Sequence, residues 1–292
     1  MATNVPFPAF PYPHDTRPPK REKEMKVLCL GMSRTGTMSL YTALTTLGYN
    51  CYHTTEACLH YRNNSLIKWN DLINYKYRQI GLKPTRASFK NLLAGYDALA
   101  DIPAILFPNE LMDLYPDANI ILTVRDEYSG GGLQGWVKSM QRSYFAVLAM
   151  KRLKFLAFFD NHYLRPALDM LQVALEIFSD GQPNDSERLI AGYTAHNAYV
   201  RGQAQKRGRK VLVYNVRQGW GPLCRFLGKE IPMNQDGEVV EFPWKSQGDF
   251  MRGLHYLVGW WRGAVFVAMI LGILGGYAVL RGVVWWVFLP RW

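Results

Sequence analysis

The apolar positions of this chain fall into short runs separated by helical stripes. Residues 25–30 (MKVLCL) are rich in buried residue types and predict a central parallel strand. Across 37–47, Leu40, Ala43, Leu44 and Leu47 recur at i, i+3, i+4 and i+7, one face of a helix, and Gly48 stands where a helix is commonly closed. Residues 49–53 read as a second strand, 96–100 as a third, and 118–124 (ANIILTV) as the clearest of all. Between the second and third, 57–93 is helical in parts with a break at Pro84, and a short helix over 109–114 stops before Pro116. Further on, the pattern predicts a helix from 136 to about 171 interrupted at Pro166, and a long helix over 184–207 with Leu189, Tyr193, Asn197 and Val200 on one face. A last strand over 210–214 and a short helix over 221–227 follow.

Strands alternating with helices predict an α/β fold of three layers around a central parallel sheet. Ligands of such sheets bind at the carboxyl ends of the strands. That directs attention to the residues just after Leu30, Ala100, Val124 and Tyr214.

The two ends of the chain depart from this pattern. Residues 1–24 are rich in Pro, end in the charged run 20–24, and lack an apolar stretch of signal-peptide length; a disordered arm is expected. Between Arg262 and Arg281 lie 18 uncharged residues, 263–280. At ~1.5 Å per residue they span about 27 Å, close to a hydrocarbon core of roughly 30 Å. Trp260, Trp261, Trp285, Trp286 and Trp292 flank them as an aromatic belt does. A buried core helix is the competing reading, disfavoured by Arg at both ends and Trp outside them. The expected organisation is therefore an arm over 1–24, a domain over 25–230, a linker over 231–256 and a single-pass transmembrane anchor over 257–292. A lone span placed so late, without a signal peptide, leaves the preceding domain facing the cytosol.

Composition adds little to this picture and excludes some of the alternatives. Apolar residues make up 49% and charged residues 20%, an ordinary core with an apolar surplus. The net charge of +11 is not gathered in one block, which argues against nucleic acid as partner and suits phosphate, sulfate or an anionic membrane surface. Cys29, Cys51, Cys58 and Cys224 form no C-x-x-C pair and no zinc-finger spacing, so no metal site is expected and a reducing compartment suits them.

Chemistry concentrates after the first strand, in Gly31-Met32-Ser33-Arg34-Thr35-Gly36-Thr37-Met38-Ser39. A strand, a tight loop with Gly at both ends and a helix start make P-loop geometry, where backbone N–H groups and the helix dipole converge on an anion. A plain turn with a capping hydroxyl needs one Ser or Thr; this loop has Ser33, Thr35, Thr37 and Ser39 together with the cation Arg34. It is not the nucleotide-triphosphatase loop G-x-x-x-x-G-K-S/T, because Thr37 stands where that Lys belongs. No Mg²⁺-binding carboxylate ends the strand over 118–124 either; Arg125 comes first.

The sequence G-x-S-R-T-G-T-x-S-L at 31–40 resembles the 5′-phosphosulfate loop of the sulfotransferases, and is most similar to their divergent fungal and other eukaryotic branch. The resemblance runs from about Lys26 to Ile231 and takes in 48–53, Asp101-Ile102-Pro103-Ala104, Glu110-Leu111, 115–118 and 121–126. It implies 3′-phosphoadenosine 5′-phosphosulfate as donor, with Ser33, Arg34, Thr35, Gly36, Thr37 and Met38 on its 5′ side and no metal. Arg125 matches the Arg that binds the donor's 3′-phosphate in that family. Ser139, in Trp136-Val137-Lys138-Ser139, matches its partner Ser, but only after an extra Gly-rich stretch, 129–135. No counterpart of the family's third nucleotide-binding segment is found near the domain's end.

An acceptor hydroxyl needs a general base, and the candidates are Asp101, His53 and Glu110. Asp101 is favoured because D-I-P stands where many sulfotransferases carry H-L-P or H-F-P after the third strand. His53 follows a strand and can face the acceptor. Glu110 reads more simply as a helix-start carboxylate, His196 as a structural residue in mid-helix, and Arg217 as either a phosphate ligand or a surface Arg. The expected function is sulfuryl transfer to a hydroxyl or amine of a lipophilic small molecule. A P-loop nucleotide kinase or NTPase, and a non-catalytic or repurposed nucleotide-binding membrane protein, are the alternatives.

Overall fold

The computed structural model describes residues 23–59, 64–125, 131–244 and 275–277. The chain divides into two compact units, Met1–Trp244 and Lys245–Trp292. The first holds five strands among the described residues: β1 (Val27–Cys29), β2 (Cys51–Tyr52), β3 (Ala98–Ala100), β4 (Asn119–Thr123) and β5 (Val211–Tyr214). They form one parallel sheet in the order β2-β3-β1-β4-β5. Its helices are α1 (Thr37–Thr46), α2 (Thr54–Leu59), α3 (Ser65–Arg78), α4 (Arg86–Leu93), α5 (Pro108–Leu114), α6 (Gly132–Met140), α7 (Ala146–Ala149), α8 (Lys151–Phe159), α9 (Leu164–Phe178), α10 (Ser186–Lys206) and α11 (Trp220–Leu227). The expected α/β fold with a central parallel sheet is what the chain forms.

β1 is central because its residues have no polar face to show to water. Val27, Leu28 and Cys29 are all buried, with Cys29 in register with Ala100 on one side and Ile121 on the other. From β1 the chain steps outward to β2, returns to β3 beside β1, then crosses to β4 on the far flank. The carboxyl ends of β3, β1 and β4 are therefore adjacent, and that reversal of strand order is where a parallel sheet opens a crevice.

The helices follow their sequence signals with one exception. α10 starts where Asp185 caps the N–H groups of Glu187 and Arg188, and it buries Leu189, Tyr193, Asn197 and Val200 as its stripe predicts. The helix expected from 136 to 171 is instead three helical segments, broken at Met150 and Asp160. A π-helical turn over Gln141–Phe145 follows α6, Met150 turns extended between α7 and α8, and Asp160 closes α8 by accepting from the N–H groups of His162 and Tyr163. Pro166 does not interrupt a helix; it lies in the first turn of α9, where its missing N–H has no intrahelical partner to lose.

Past α11 the chain stays on the domain. Trp220 Nε1–H donates to the Val240 carbonyl at 2.7 Å, and Phe242 is buried against the Trp220 ring. Within the stretch read as linker from 231 onward, Phe242 is thus packed on the domain, while Ile231, Met233 and Val239 are exposed. No helix among the described residues is long and apolar enough to cross a membrane. The predicted anchor over 257–292 lies outside the described residues apart from 275–277, which are helical, and of the predicted arm 1–22 lie outside them too.

Candidate active site

The loop leaving β1 is locked to β4 by a missing side chain and a pair of hydroxyls. A Cβ on Gly31 would overlap the hydroxyl and backbone of Thr123. Thr35 donates its hydroxyl proton to the Met32 carbonyl at 2.5 Å and stands 2.6 Å from the Thr123 hydroxyl, which leaves Thr123 to donate to it. Arg34 and Gly36 have positive φ, 69° and 101°, so the loop curls before α1 begins. At Gly36 the conformation and the neighbourhood both call for glycine: a Cβ would come within 2.6 Å of Val216. No side-chain hydrogen bond from Gly36 caps α1, whose start carries the positive end of the helix dipole at the loop.

Below the loop, His196 on α10 hydrogen-bonds the Leu30 carbonyl through Nε2 at 2.7 Å. Burial holds its pKa below the usual histidine range, opposed by that bond. A neutral ring with Nε2–H pointing at a carbonyl pins the last residue before the loop, so His196 is a positioning residue, as its mid-helix location suggested.

Two distant residues, Arg125 and Ser139, meet on Arg34, and a third, Trp136, on Ser33 beside it. The Arg125 guanidinium donates through Nε and Nη2 to the Arg34 carbonyl at 3.2 and 3.1 Å. Arg34 Nε–H donates to Ser139 Oγ at 3.2 Å. Trp136 Nε1–H donates to the Ser33 carbonyl at 2.9 Å, three residues before Ser139 on the same face of α6. The buried Trp136 ring packs on Tyr193, whose hydroxyl accepts the Arg125 N–H at 2.9 Å. The Gly-rich stretch before Trp136 does not carry Ser139 away, because α6 begins at Gly132 and takes its second half into the helix. Residues 126–130 lie outside the described residues.

On the other side of the loop lies a buried carboxylate. Asp101, with φ of 67°, follows β3 and accepts the Ser33 hydroxyl at Oδ1. Its Oδ2 lies 3.1 Å from the Thr54 hydroxyl, which also reaches the Ile102 carbonyl at 2.6 Å, and 3.1 Å from His53 Nε2. His53 and Asp101 are both buried. Burial lowers the His53 pKa; Asp101 and Glu56 pull it back up, and Arg34 pushes it further down. The net direction is downward, so the imidazole is neutral at pH 7. The two base candidates thus form one pair, tied to the loop through Ser33.

Of the remaining candidates, Thr37 is buried at the start of α1 and Met38 is half-buried beside it. Glu110, in the first turn of α5, forms an ion pair with Lys76 at 2.9 Å, which accounts for it without catalysis. Arg217 is exposed on a 3₁₀ turn, its N–H bonded to the Asn215 side chain. Sequence reading missed Thr54, Thr123 and Tyr193, which hold the site from distant elements. Among the described residues no cluster of three or more His, Cys, Asp or Glu could hold a metal ion.

The chain is similar to Ava biosynthesis cluster protein M of Aspergillus versicolor, 29% identical over 258 residues that cover 86% of this chain and 93% of that protein. Residues 26–251 match the sulfotransferase domain, a span that includes β1 to β5, the loop, the Asp101–His53 pair and Ser139. The chain belongs to the sulfotransferase domain family.

Proposed function

We propose that the chain transfers a sulfuryl group from 3′-phosphoadenosine 5′-phosphosulfate to a hydroxyl or amine of a lipophilic small molecule. The convergence of Arg34, Arg125 and Ser139 on one loop carries this reading. Two guanidiniums, a hydroxyl and the dipole of α1 are a donor set suited to a nucleotide with phosphate at both its 3′ and 5′ positions. Arg125 and Ser139 bind the 3′-phosphate. Ser33, Arg34, Thr35, Gly36, Thr37 and Met38 line the 5′ side, where the loop N–H groups and Arg34 offset charge on the departing phosphate. The donor supplies the sulfuryl group; everything else is positioning and proton handling.

The Asp101–His53 pair takes the proton of the attacking hydroxyl. A carboxylate offers about four lone-pair sites; Ser33 and Thr54 take two here, and His53 Nε2 lies 3.1 Å from Oδ2. That arrangement fixes the pair in one orientation, which a base needs as much as a suitable pKa. The relative's name refers to a biosynthesis cluster, which supports a small-molecule acceptor. Anchoring by residues 257–292, with the domain facing the cytosol, remains part of the proposal on the strength of the sequence. Resistance of the full-length chain to alkaline carbonate extraction tests it, and release by carbonate would remove the anchor.

The test of activity is direct. Purified full-length protein, given the donor and a panel of phenols and alcohols in the presence of a chelator, should release adenosine 3′,5′-bisphosphate in step with sulfated product. Consumption of ATP that depends on Mg²⁺, with none of the sulfate donor, would establish the nucleotide-kinase or NTPase reading instead.

A further inference from the structure

α8 is the one helix of the described domain whose aromatic residues face outward as a group. Phe155, Phe158 and Phe159 are 66%, 72% and 66% exposed. They stack on one another, Phe159 lying 5.3 Å from Phe155 and 5.2 Å from Phe158 with rings edge to face. The three basic residues of the helix, Lys151, Arg152 and Lys154, are exposed too.

The order of these residues around the helix is informative. At roughly 100° per residue, an α-helix sets Lys154, Phe158, Lys151, Phe155, Phe159 and Arg152 side by side in that order across one broad face. Leu153 and Ala157, the buried pair, point the opposite way and attach the helix to the domain. The outer face is thus an aromatic ridge with a cation on each flank and another in the middle. A surface made to pack on protein puts its charges at a rim and buries its rings in a pocket. A surface made for the headgroup region of a bilayer does what α8 does: rings sink to the acyl boundary while long basic stems reach back to lipid phosphates. The scattered surplus of positive charge, +11 over the chain, favours an anionic bilayer.

We propose that α8 rests in the interface of an anionic membrane, a contact separate from any C-terminal anchor. It follows from the exposed residues of α8 alone and goes beyond the function proposed above. Such a contact lays the catalytic domain against the surface from which a lipophilic acceptor would come.

The test uses full-length protein with the photoreactive analogue p-benzoyl-phenylalanine at position 158, and a control with it at Tyr199, exposed on α10. Each is mixed with vesicles of phosphatidylcholine, with or without phosphatidylserine, illuminated and floated. Lipid adducts should form at position 158, require phosphatidylserine, and stay near background at position 199. Adding Arg152→Gln and Lys154→Gln should cut the adduct at 158 by about thirtyfold under non-saturating conditions, the factor that follows from roughly 1 kcal/mol for each of two basic residues near the surface. Equal adducts at 158 and 199, or adducts indifferent to phosphatidylserine, overturn the proposal. So do protein–protein adducts at 158, which would make the ridge an interface with a partner or a second copy. Flotation without an adduct at 158 defeats the α8 contact while leaving the anchor standing; an adduct in a chain that high salt releases defeats the anchor and leaves α8.

Discussion

The two sides of the loop are built on different principles. Toward β4 and α6 the contacts are made largely by backbone: Arg34 and Ser33 offer carbonyls, and Arg125 and Trp136 reach them from neighbouring elements. Toward β2 and β3 the contacts are side chain to side chain, with one carboxylate accepting from Ser33 and Thr54 and lying 3.1 Å from His53 Nε2. In the proposed function the first side would grip an anion through charge and dipole, and would tolerate exchange of a single donor. The second is a buried cluster centred on Asp101, whose removal takes from Ser33 and Thr54 the carboxylate they share. Loss of one residue should therefore cost affinity on the β4 side and turnover on the β3 side.

The largest effect expected is on the frame the two sides share. Gly31→Ala pushes a methyl group into Thr123, and overpacking against backbone should destabilise the domain by about 3 kcal/mol, visible as a lowered denaturation midpoint. A neutral outcome would mean the loop is not held against β4 as described.

On the β3 side, Asp101→Asn should lower turnover by ~10²-fold or more, the usual scale for a general base, while donor affinity changes far less. His53→Gln should do the same to a smaller extent, and the double variant should be little worse than Asp101→Asn alone, because the pair acts as a unit. Multiplying losses would split the pair into independent residues.

On the β4 side, Arg34→Ala or Arg125→Ala should weaken donor binding by about tenfold each, about 1.4 kcal/mol for one charge-assisted phosphate contact, with Ser139→Ala weaker. Thr37→Lys should not create ATPase activity, since the carboxylate for Mg²⁺ is missing as well. Vigorous ATP hydrolysis by that variant would undo this comparison with triphosphatase loops.

The smallest effect concerns pH. Burial holds His53 and His196 below the ordinary histidine value. Unfolded, both take up protons near about pH 6.5, and folded only at lower pH. Their stability contribution is therefore complete above that pH and is lost as pH falls through the folded values. His196→Gln, and separately His53→Gln, should each flatten the decline of stability below pH 6.5 in denaturant titrations. An unchanged slope would show that these imidazoles do not titrate with folding.

What the sequence revealed follows the same division. The strands were legible because a buried parallel strand shows as a local apolar run, and the candidate loop because Gly31, Arg34 and Gly36 lie within six residues. Helix breaks at Met150 and Asp160 were not, since each is set by local backbone turns that leave the apolar pattern intact, and Pro166 drew the eye to the wrong place. Ser139, singled out by its Trp136 context despite the Gly-rich stretch, lies beside the loop within hydrogen-bond distance of Arg34. The bond from His196 to the Leu30 carbonyl and the grip of Thr54 on Asp101 join residues far apart in the chain, so no local pattern announces them.

Donor recognition by Arg34, Arg125 and Ser139 is the central claim, and a calorimetric titration of the full-length chain tests it most directly. Adenosine 3′,5′-bisphosphate should bind at least ~10-fold more tightly than AMP, about 1.4 kcal/mol for the added phosphate contact, with little change on adding Mg²⁺. Equal affinities for the two nucleotides, or binding that appears only for ATP with Mg²⁺, would contradict it.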